Sequence, residues 1–245
     1  MKWIGYLFSS LWRLWFLIVF ILVFIAFMPA LFFFTAIKKD PIAIAHLARY
    51  WSKLTLWLSF IFPVITLDAE IDVNKKYIFC SNHVSTLDIP LVYAGIHVPL
   101  QYIGKIELTK LPLFGYFYKH NSIIVNRKNK KDAYASFVEA GKKLNNGLNV
   151  CIFPEGGIPK SNIFLKKFKN GAFKLAIEKD IPIIPITILD NKRVFPLKYF
   201  KGRPGIVRIT IHKAIDPNKL EEKTIENLNV STYNIIFDEL KNYGK

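Results

Sequence analysis

Cysteine is scarce in this chain, and its scarcity excludes two classes of protein. Only Cys80 and Cys151 occur among the 245 residues, and each lies within a short apolar run. Two separated cysteines build neither a disulfide scaffold nor a cysteine-rich zinc site. They fit a protein of a reducing compartment, with both thiols packed as small apolar side chains.

Acidic residues are few relative to basic ones. The chain has 18 Asp and Glu against 34 Lys and Arg, which gives a net charge of +16. The excess is greatest over residues 151–213, where 13 basic residues stand against 4 acidic ones. Such a surface attracts lipid phosphates, coenzyme A, phosphopantetheine-bearing carriers or nucleic acid, and charge alone does not distinguish them. The histidines are scattered and form no metal-ligand motif, so no bound metal is expected.

Charged residues are absent from one long apolar segment, residues 14–37. As a helix these 24 residues would measure about 36 Å, against a hydrocarbon core of about 30 Å. A secretory signal has a shorter apolar core of about 7 to 15 residues, so we interpret the segment as a retained membrane anchor. A second apolar segment, residues 54–67, is short for a crossing and contains Pro63.

The two apolar segments predict a membrane-anchoring helical hairpin over residues 1–68, followed by an α/β domain over residues 69–245. Basic residues flank the first segment on both sides, among them Arg13 and Lys38, so the positive-inside rule gives no orientation. Both flanks suit the anionic surface of one leaflet, which favours a monotopic hairpin over a true span. A buried core helix is the alternative for the first segment.

From about residue 70 onward, short β-rich runs alternate with helical patterns, which predicts a mixed, largely parallel sheet flanked by helices. Strands are expected at residues 77–80, 122–125, 149–153, 181–189 and 206–212. Helices are expected at residues 88–96, 132–144, 171–178 and 224–243. Because proline is rare in central strands, the run IPIIPI at residues 181–186 is either a margin of the sheet or a buried strand with bulges.

Polar side chains follow three of the predicted strands. Asn82 and His83 come after the first strand, Arg127 after the second, and Glu155 and Gly156 after the third. In open α/β sheets, ligands bind outside the carboxyl ends of the strands. We therefore expect these residues to line one crevice.

His83 and Asp88 are candidates for acid–base chemistry. On one helix, five steps of about 100° would leave the two side chains about 140° apart, too far to pair. They pair if His83 lies in the loop after the strand and a helix begins near Asp88, a start that Pro90 supports. The carboxylate then fixes the imidazole tautomer and leaves the other nitrogen as a general base. The alternative is a capping role for Asp88 and an ordinary loop position for His83.

Four blocks of sequence, in order, carry a resemblance to a known family. They are NHVSTLD at residues 82–88, KIELTKLPLFG leading to IIVNR at residues 105–127, FPEGG at residues 153–157, and KNGAFKLA followed by IPIIPI at residues 169–186. With these blocks the chain resembles the glycerolipid acyltransferases that have an H-x4-D motif, most closely the 1-acyl-sn-glycerol-3-phosphate acyltransferases. The matching blocks extend over somewhat less than half of the chain.

The resemblance implies a reaction and two catalytic residues. In this family a histidine deprotonates a hydroxyl of the acceptor, which attacks an acyl thioester, and an aspartate orients the histidine; the roles fall to His83 and Asp88. The implied acceptor is lysophosphatidic acid, and the donor is acyl coenzyme A or acyl carrier protein, with no bound cofactor. The implied enzyme works among anionic membrane lipids, without nucleic acid, with its catalytic domain on the cytoplasmic face, as at a bacterial inner membrane.

The resemblance also implies substrate-binding residues. They are Asn82, Lys105, Arg127, Glu155 and Gly156. Arg127 corresponds to the arginine that holds the acceptor's phosphate; the alternative is that it belongs to a solvated basic loop at residues 126–131. Lys105 is a second candidate for the phosphate, or else a residue of a surface helix. The third block departs from the family's usual FPEGTRS, since Gly157 and Ile158 stand in place of a threonine and an arginine. Lys160 is near enough to substitute for the arginine, although lysine is a point charge rather than a bidentate fork. The departure keeps another lysophospholipid or lipid acceptor open.

Two interpretations from other classes are also open. A membrane-tethered basic protein that binds nucleic acid or anionic lipid without catalysis would suit the charge, but the sequence shows no nucleic-acid motif. A thioester hydrolase with Cys151 as its nucleophile is the other. An activity that is lost in His83→Ala while binding is unchanged separates the acyltransferase from the binding protein, and its loss in Cys151→Ala identifies the hydrolase.

Overall fold

In the computed structural model, which describes residues 2–126, 129–159 and 163–243, a central sheet has helices on both faces. The strands are β1 (Ile61–Leu67), β2 (Ile78–Ser81), β3 (Leu100–Lys105), β4 (Ile123–Val125), β5 (Asn149–Ile152), β6 (Ile183–Ile188) and β7 (Gly205–Ile211). The helices are α1 (Lys2–Phe32), α2 (Pro41–Leu58), α3 (Asp88–Gly95), α4 (Phe114–Asn121), α5 (Lys130–Asn145), α6 (Gly171–Lys179), α7 (Asn191–Val194) and α8 (Ile225–Tyr243). Short turns of other helix types lie at Phe33–Ile37, Ile106–Lys110 and Pro217–Lys219.

The sheet is mixed and largely parallel, as the alternation of strand and helix patterns predicts. Its strand order is β1-β7-β6-β2-β5-β3-β4. Neighbouring strands are parallel throughout, except that β6 and β7 are antiparallel. Because β2 to β6 all run in one direction, their carboxyl ends meet at one edge of the sheet. The loops that follow β2 and β5 therefore come together there.

Each face of the sheet covers its own hydrophobic core. On one face, Leu56 of α2 and Leu91 of α3 belong to the same cluster as Phe79 of β2. On the other face, residues of α5, α6 and α8 cluster with Ile78, the neighbour of Phe79 in β2. Successive strand residues point to opposite faces, so a strand that is buried on both sides has a continuous apolar run, as residues 78–80 of β2 do.

The long apolar helix predicted at the start of the chain is present as α1. Within Trp3–Ile37, which is α1 with its following turn, the most apolar 18-residue stretch has a mean hydropathy of 3.0, and 17% of that stretch is buried. By length and composition it could cross a membrane. It forms a helical hairpin with α2, whose start is fixed by Asp40, because the Asp40 carboxylate accepts from the backbone N–H groups of Ile42 and Ala43 at 3.0 Å each.

The second apolar segment is not a helix along its length, which corrects the prediction for residues 54–67. Residues 54–58 end α2, and the rest contributes β1, all seven residues of which pair with β7. β-Branched side chains are frequent in β1 and favour the extended chain, and Pro63 is tolerated because β1 is an edge strand. The division of the chain into an anchor and an α/β domain at residue 68 stays a prediction.

The run IPIIPI contributes an interior strand. β6 lies between β7 and β2, and all six of its residues are buried. The interpretation as a sheet margin is therefore wrong. The alternative of a buried strand is correct, but the register of β6 with β2 and β7 is regular, without the expected bulges. Pro185 lacks an N–H, but its carbonyl still accepts from the backbone N–H of His212 at 3.0 Å, so the strand keeps part of its hydrogen bonding.

Candidate active site

His83 and Asp88 form a hydrogen-bonded pair at the carboxyl end of β2. His83 lies in the loop after the strand, and Asp88 is the first residue of α3. Nδ1 of His83 lies 2.8 Å from Oδ2 of Asp88, and since an ionised carboxylate only accepts, the imidazole N–H is the donor. This is the geometry expected from the H-x4-D spacing with a helix start at Asp88.

The Asp88 carboxylate is fully buried and fixed from several sides. Oδ2 also accepts from the backbone N–H groups of Val84 at 2.6 Å and Ser85 at 2.8 Å. Oδ1 accepts from Nδ2 of Asn191, at the start of α7. A carboxylate with four donors around it has one favourable orientation, so it holds the His83 ring in one tautomer and one position.

An aromatic stack fixes the plane of the imidazole. The ring of His83 lies on Phe153 with centroids 4.1 Å apart and an angle of 16° between the planes. Tyr102 stacks on Phe153 in turn, at 5.7 Å and 18°. The stack covers one face of the ring. Because His83 is only 8% exposed, a substrate would reach the ring over a small area.

Glu155 ties the loop after β5 to the loop after β2. Oε1 accepts from the backbone N–H of His83 at 2.7 Å, and Oε2 accepts from the backbone N–H of Lys166 at 3.0 Å. The side chain is 1% exposed, and this burial raises the pKa of the Glu155 carboxyl, against the two amides that stabilise its charge. Both oxygens thus serve to position the backbone of the site.

Two glycines shape the loop that follows Glu155. Gly156 and Gly157 have φ values of +75° and +151°, which side-chain-bearing residues rarely adopt. A Cβ on Gly156 would lie 2.6 Å from Cε of Lys169. The loop therefore brings its backbone against a lysine side chain, in the part of the sequence where basic residues are most concentrated.

The remaining predicted site residues are distributed differently. Asn82 is fully buried, and its side-chain amide makes two hydrogen bonds to the backbone of Ile188, at 2.8 and 3.0 Å. It therefore joins β2 to β6. Lys105 is exposed at the end of β3. Arg127 and Lys160 lie outside the described residues, so their expected phosphate contacts stay predictions.

Sequence reasoning missed Asn191, which lies with the other polar groups of the site. It comes shortly after β6, whose carboxyl end lies at the same sheet edge as those of β2 and β5. The rule applied to the other three strands, that ligand-side residues follow their carboxyl ends, would have identified it.

Both cysteines lie in the core. Cys80 and Cys151 are fully buried in adjacent strands, and burial raises the pKa of both thiols. A thiol without access to solvent and held in its neutral form is a poor nucleophile. The prediction that they are apolar packing residues is confirmed. Cys151 is therefore unsuited to be the nucleophile of a thioester hydrolase.

Known proteins match both the sequence and the fold. A family model described as Acyltransferase matches residues 64–189, more than half of the chain. A 1-acyl-sn-glycerol-3-phosphate acyltransferase of Borreliella burgdorferi is 30% identical over 179 residues, which cover 72% of this chain and 70% of that protein. A protein of the same description from Chlamydomonas reinhardtii is 31% identical over 150 residues, or 60% of this chain. The match spans 44% of the Chlamydomonas protein's length.

One solved structure has the same architecture over nearly the whole chain. The crystal structure of the 1-acyl-sn-glycerophosphate (LPA) acyltransferase PlsC from Thermotoga maritima superposes with a TM-score of 0.77 and 21% sequence identity, covering 99% of this chain and 97% of that one. This likeness shows the fold, including the long N-terminal helix. Together with the family model and the Borreliella relative, it confirms the resemblance, and the chain belongs to the Acyltransferase family.

Proposed function

We propose that the protein transfers a fatty acyl group from a thioester to the sn-2 hydroxyl of lysophosphatidic acid, giving phosphatidic acid. The observation that carries the proposal is the 2.8 Å hydrogen bond between His83 and the buried Asp88. The names of the Borreliella and Chlamydomonas relatives support this acceptor. A histidine that is held by a buried carboxylate is suited to remove a proton from a hydroxyl.

The reaction needs one proton acceptor and no covalent acyl-enzyme. With Nδ1 bonded to Asp88, Nε2 of His83 takes the proton of the acceptor hydroxyl while its oxygen attacks the thioester carbonyl carbon. The tetrahedral intermediate collapses, the C–S bond breaks, and the imidazolium returns the proton to the sulfur. The products are an ester and a free thiol, and the histidine is regenerated. The Asp88 carboxylate stabilises the imidazolium that forms between the two steps.

The excess of basic residues in the chain suits substrates that carry negative charge. Both donors considered, acyl coenzyme A and acyl carrier protein, are anionic, as is the acceptor's phosphate. We assign the phosphate to Arg127 because guanidinium offers a bidentate fork, with Lys105 and Lys160 as further cations. Glu155 and Gly156 are assigned to shape the acceptor site, and Asn82 to fix the strand from which His83 follows. No bound cofactor or metal takes part in this scheme.

Membrane association belongs to the same proposal. The apolar α1 supports an anchor, and a lipid acceptor and a lipid product would both stay in the bilayer. We place the catalytic domain on the cytoplasmic face, where acyl thioesters are made.

Acyl transfer by purified protein in nanodiscs tests the proposal. The assay uses a labelled acyl thioester, supplied either as the coenzyme A or as the carrier-protein conjugate, and a panel of lysolipids that includes lysophosphatidic acid. We expect labelled phosphatidic acid from the wild type. His83→Ala and Asp88→Asn should lower turnover by about three orders of magnitude or more, as loss of a base or its orienting carboxylate does in comparable sites.

Each outcome of that assay has a distinct meaning. Activity restricted to another lysolipid would support the mechanism but show that the acceptor is not lysophosphatidic acid. Gly157 and Ile158, which depart from the family's usual motif, raise this question. A folded His83→Ala protein with most of the wild-type rate would overturn the assignment of the base. If no acyl transfer is detected with any donor and acceptor, the interpretation as a membrane-tethered binding protein is favoured.

A further inference from the structure

The segment between α7 and β7 exposes an apolar tip flanked by cations. Leu197, Tyr199 and Phe200 form this apolar tip and are 60%, 54% and 60% exposed. The flanking cations Lys198, Lys201 and Arg203 are exposed as well. Large apolar side chains gathered on one loop beside cations are typical of a surface that contacts something other than water.

The base of this loop is fixed to α1 by polar contacts. The buried guanidinium of Arg13 donates to the carbonyl of Pro196 and, from Nε at 3.0 Å, to the carbonyl of Lys201. Ser9 donates from Oγ to the carbonyl of Gly202 at 2.8 Å. The hydrogen bonds hold the backbone on both sides of the tip, so the tip is presented in a defined place while its own side chains stay exposed.

The tip is continuous with the exposed apolar surface of α1. A shallow pocket joins the two, lined by Tyr6 and Ser9 of α1 and by Phe200 and Lys201 of the loop. The exposed apolar residues in this part of α1 are Trp3, Ile4, Tyr6, Leu7, Phe8 and Leu11. Residues almost two hundred positions apart in sequence therefore contribute to one apolar surface.

We propose that the apolar tip is a second membrane contact, inserted into the headgroup region of an anionic bilayer beside α1. Tyr and Phe side chains suit that depth, and the three cations next to the tip match the phosphates of anionic lipids. Continuity with the helix that could itself enter a bilayer favours lipid over a protein partner. The inference rests on the membrane association proposed above, but not on the identity of the acceptor.

The loop also contacts the candidate active site. Oγ of Ser85 donates to the carbonyl of Phe195 at 2.7 Å, and the backbone N–H of Ser85 donates to Asp88. Seating the apolar tip in the bilayer therefore sets the distance of the His83 loop from the lipid surface. A lipid acceptor would then reach the base without leaving the membrane.

A fluorescent label at the tip measures insertion directly. Phe200→Cys is labelled with a nitrobenzoxadiazole thiol reagent, which leaves the buried Cys80 and Cys151 unmodified, and the protein is placed in nanodiscs of phosphatidylglycerol or of phosphatidylcholine. Val230→Cys is the matched control, since Val230 is 50% exposed on α8, across the sheet from the loop. We expect blue-shifted emission at position 200 and loss of most of it to lipids carrying a nitroxide near the headgroup, with neither effect at position 230.

The lipid composition supplies the second part of the test. Insertion at position 200 should be stronger in phosphatidylglycerol, and replacing Lys198, Lys201 and Arg203 with Gln should remove the difference between the two lipids. Emission at position 200 that resembles position 230, or that is quenched by aqueous iodide in both nanodiscs, overturns the proposal. The label reports insertion whether or not acyl transfer is detected, so failure of the proposed function and failure of this inference give different results.

Discussion

The amide of Asn191 donates to the oxygen of Asp88 that faces away from His83. In Asn191→Ala that buried oxygen loses its donor, which costs about 1–3 kcal/mol of folding free energy. The carboxylate also loses one of the contacts that fix its orientation toward His83, so we expect kcat to fall while KM for the acceptor changes little. Steady-state acyl-transfer rates over a range of acceptor concentrations give kcat and KM separately.

A control separates this positioning effect from a general loss of stability. Asn229→Ala, on α8 at the other face of the sheet, removes a side-chain amide that bonds Asn170 and the carbonyl of Phe168. It should lower the melting temperature without changing kcat. A folded Asn191→Ala protein with the wild-type kcat would show that Asn191 does not act through Asp88.

At the residue scale, sequence could predict the groups whose partners are local. His83 and Asp88 lie five residues apart, so spacing and a helix start were enough to predict their contact. The partners of Asn82 and Asn191 are more than 100 residues away, at Ile188 and Asp88. No pattern in the sequence encodes such a pairing, because it depends on which strands become neighbours.

At the scale of elements, the loop after β5 explains how this chain departs from its family's usual motif. Gly157 has φ +151°, a conformation that costs other residues about 1–3 kcal/mol. We therefore expect Gly157→Thr, which restores the family's residue, to lower stability and activity rather than improve them. Gly171→Ala is the matched control, since a Cβ there meets nothing within 4 Å. Melting temperature and acyl transfer are compared, and a gain of activity in Gly157→Thr would contradict this account.

The strands that sequence predicted are rich in β-branched and apolar residues, even where a polar residue such as Arg208 of β7 lies within the run. β2, β5, β6 and β7 were found within two residues of their ends, and so was the short β4. β3 was missed because Gln101 and Gly104 interrupt its pattern. β1 was assigned to the membrane anchor because an apolar edge strand with four exposed residues in a row resembles a short membrane segment in composition. Composition measures only hydrophobicity, so it does not distinguish an apolar edge strand from a short membrane segment. The pairing with β7 does.

The end of α8 is joined to the active-site edge by a charged cluster around Asp190. This fully buried side chain accepts from Arg208 and Arg193, both at 2.9 Å, and from the hydroxyl of Tyr243. Burial alone would raise the pKa of Asp190, but the hydrogen bonds from Arg208, Tyr243 and Arg193 hold it well below its ordinary value of 3.8. Because folding favours the ionised form, the cluster contributes stability above the ordinary pKa and loses it as pH falls below that value.

Thermal unfolding as a function of pH tests the Asp190 cluster. Asp190→Asn should melt at a lower temperature than the wild type near neutral pH, and the gap should narrow as the solution is acidified below the ordinary pKa of aspartate. A gap that stays constant with pH would mean that the charge of Asp190 does not stabilise the fold. Asp216→Asn, at an exposed turn whose carboxylate accepts one backbone N–H, serves as the control.

At the scale of the whole molecule, the N-terminal helices are part of the folded body as well as a candidate anchor. Trp12 of α1 is 5% exposed within the core that covers one face of the sheet, and its Nε1 donates to the carbonyl of Ser59 at 3.0 Å. β1, which follows the hairpin, covers β7 along seven residues. Removing these parts would expose a core surface and leave β7 as an open edge.

A truncated chain therefore tests whether the division at residue 68 separates an anchor from an independent domain. Residues 69–245 alone should aggregate or melt well below the full chain, because β7 and the core beneath Trp12 become exposed. Within the full chain, Trp12→Ala should cost about 3–5 kcal/mol, as removal of a buried aromatic does, while Trp3→Ala, at a position 85% exposed, should leave unfolding in detergent unchanged. If residues 69–245 instead fold and transfer acyl groups to a dispersed short-chain acceptor at the full-length rate, then α1, α2 and β1 serve only to hold the enzyme at the membrane.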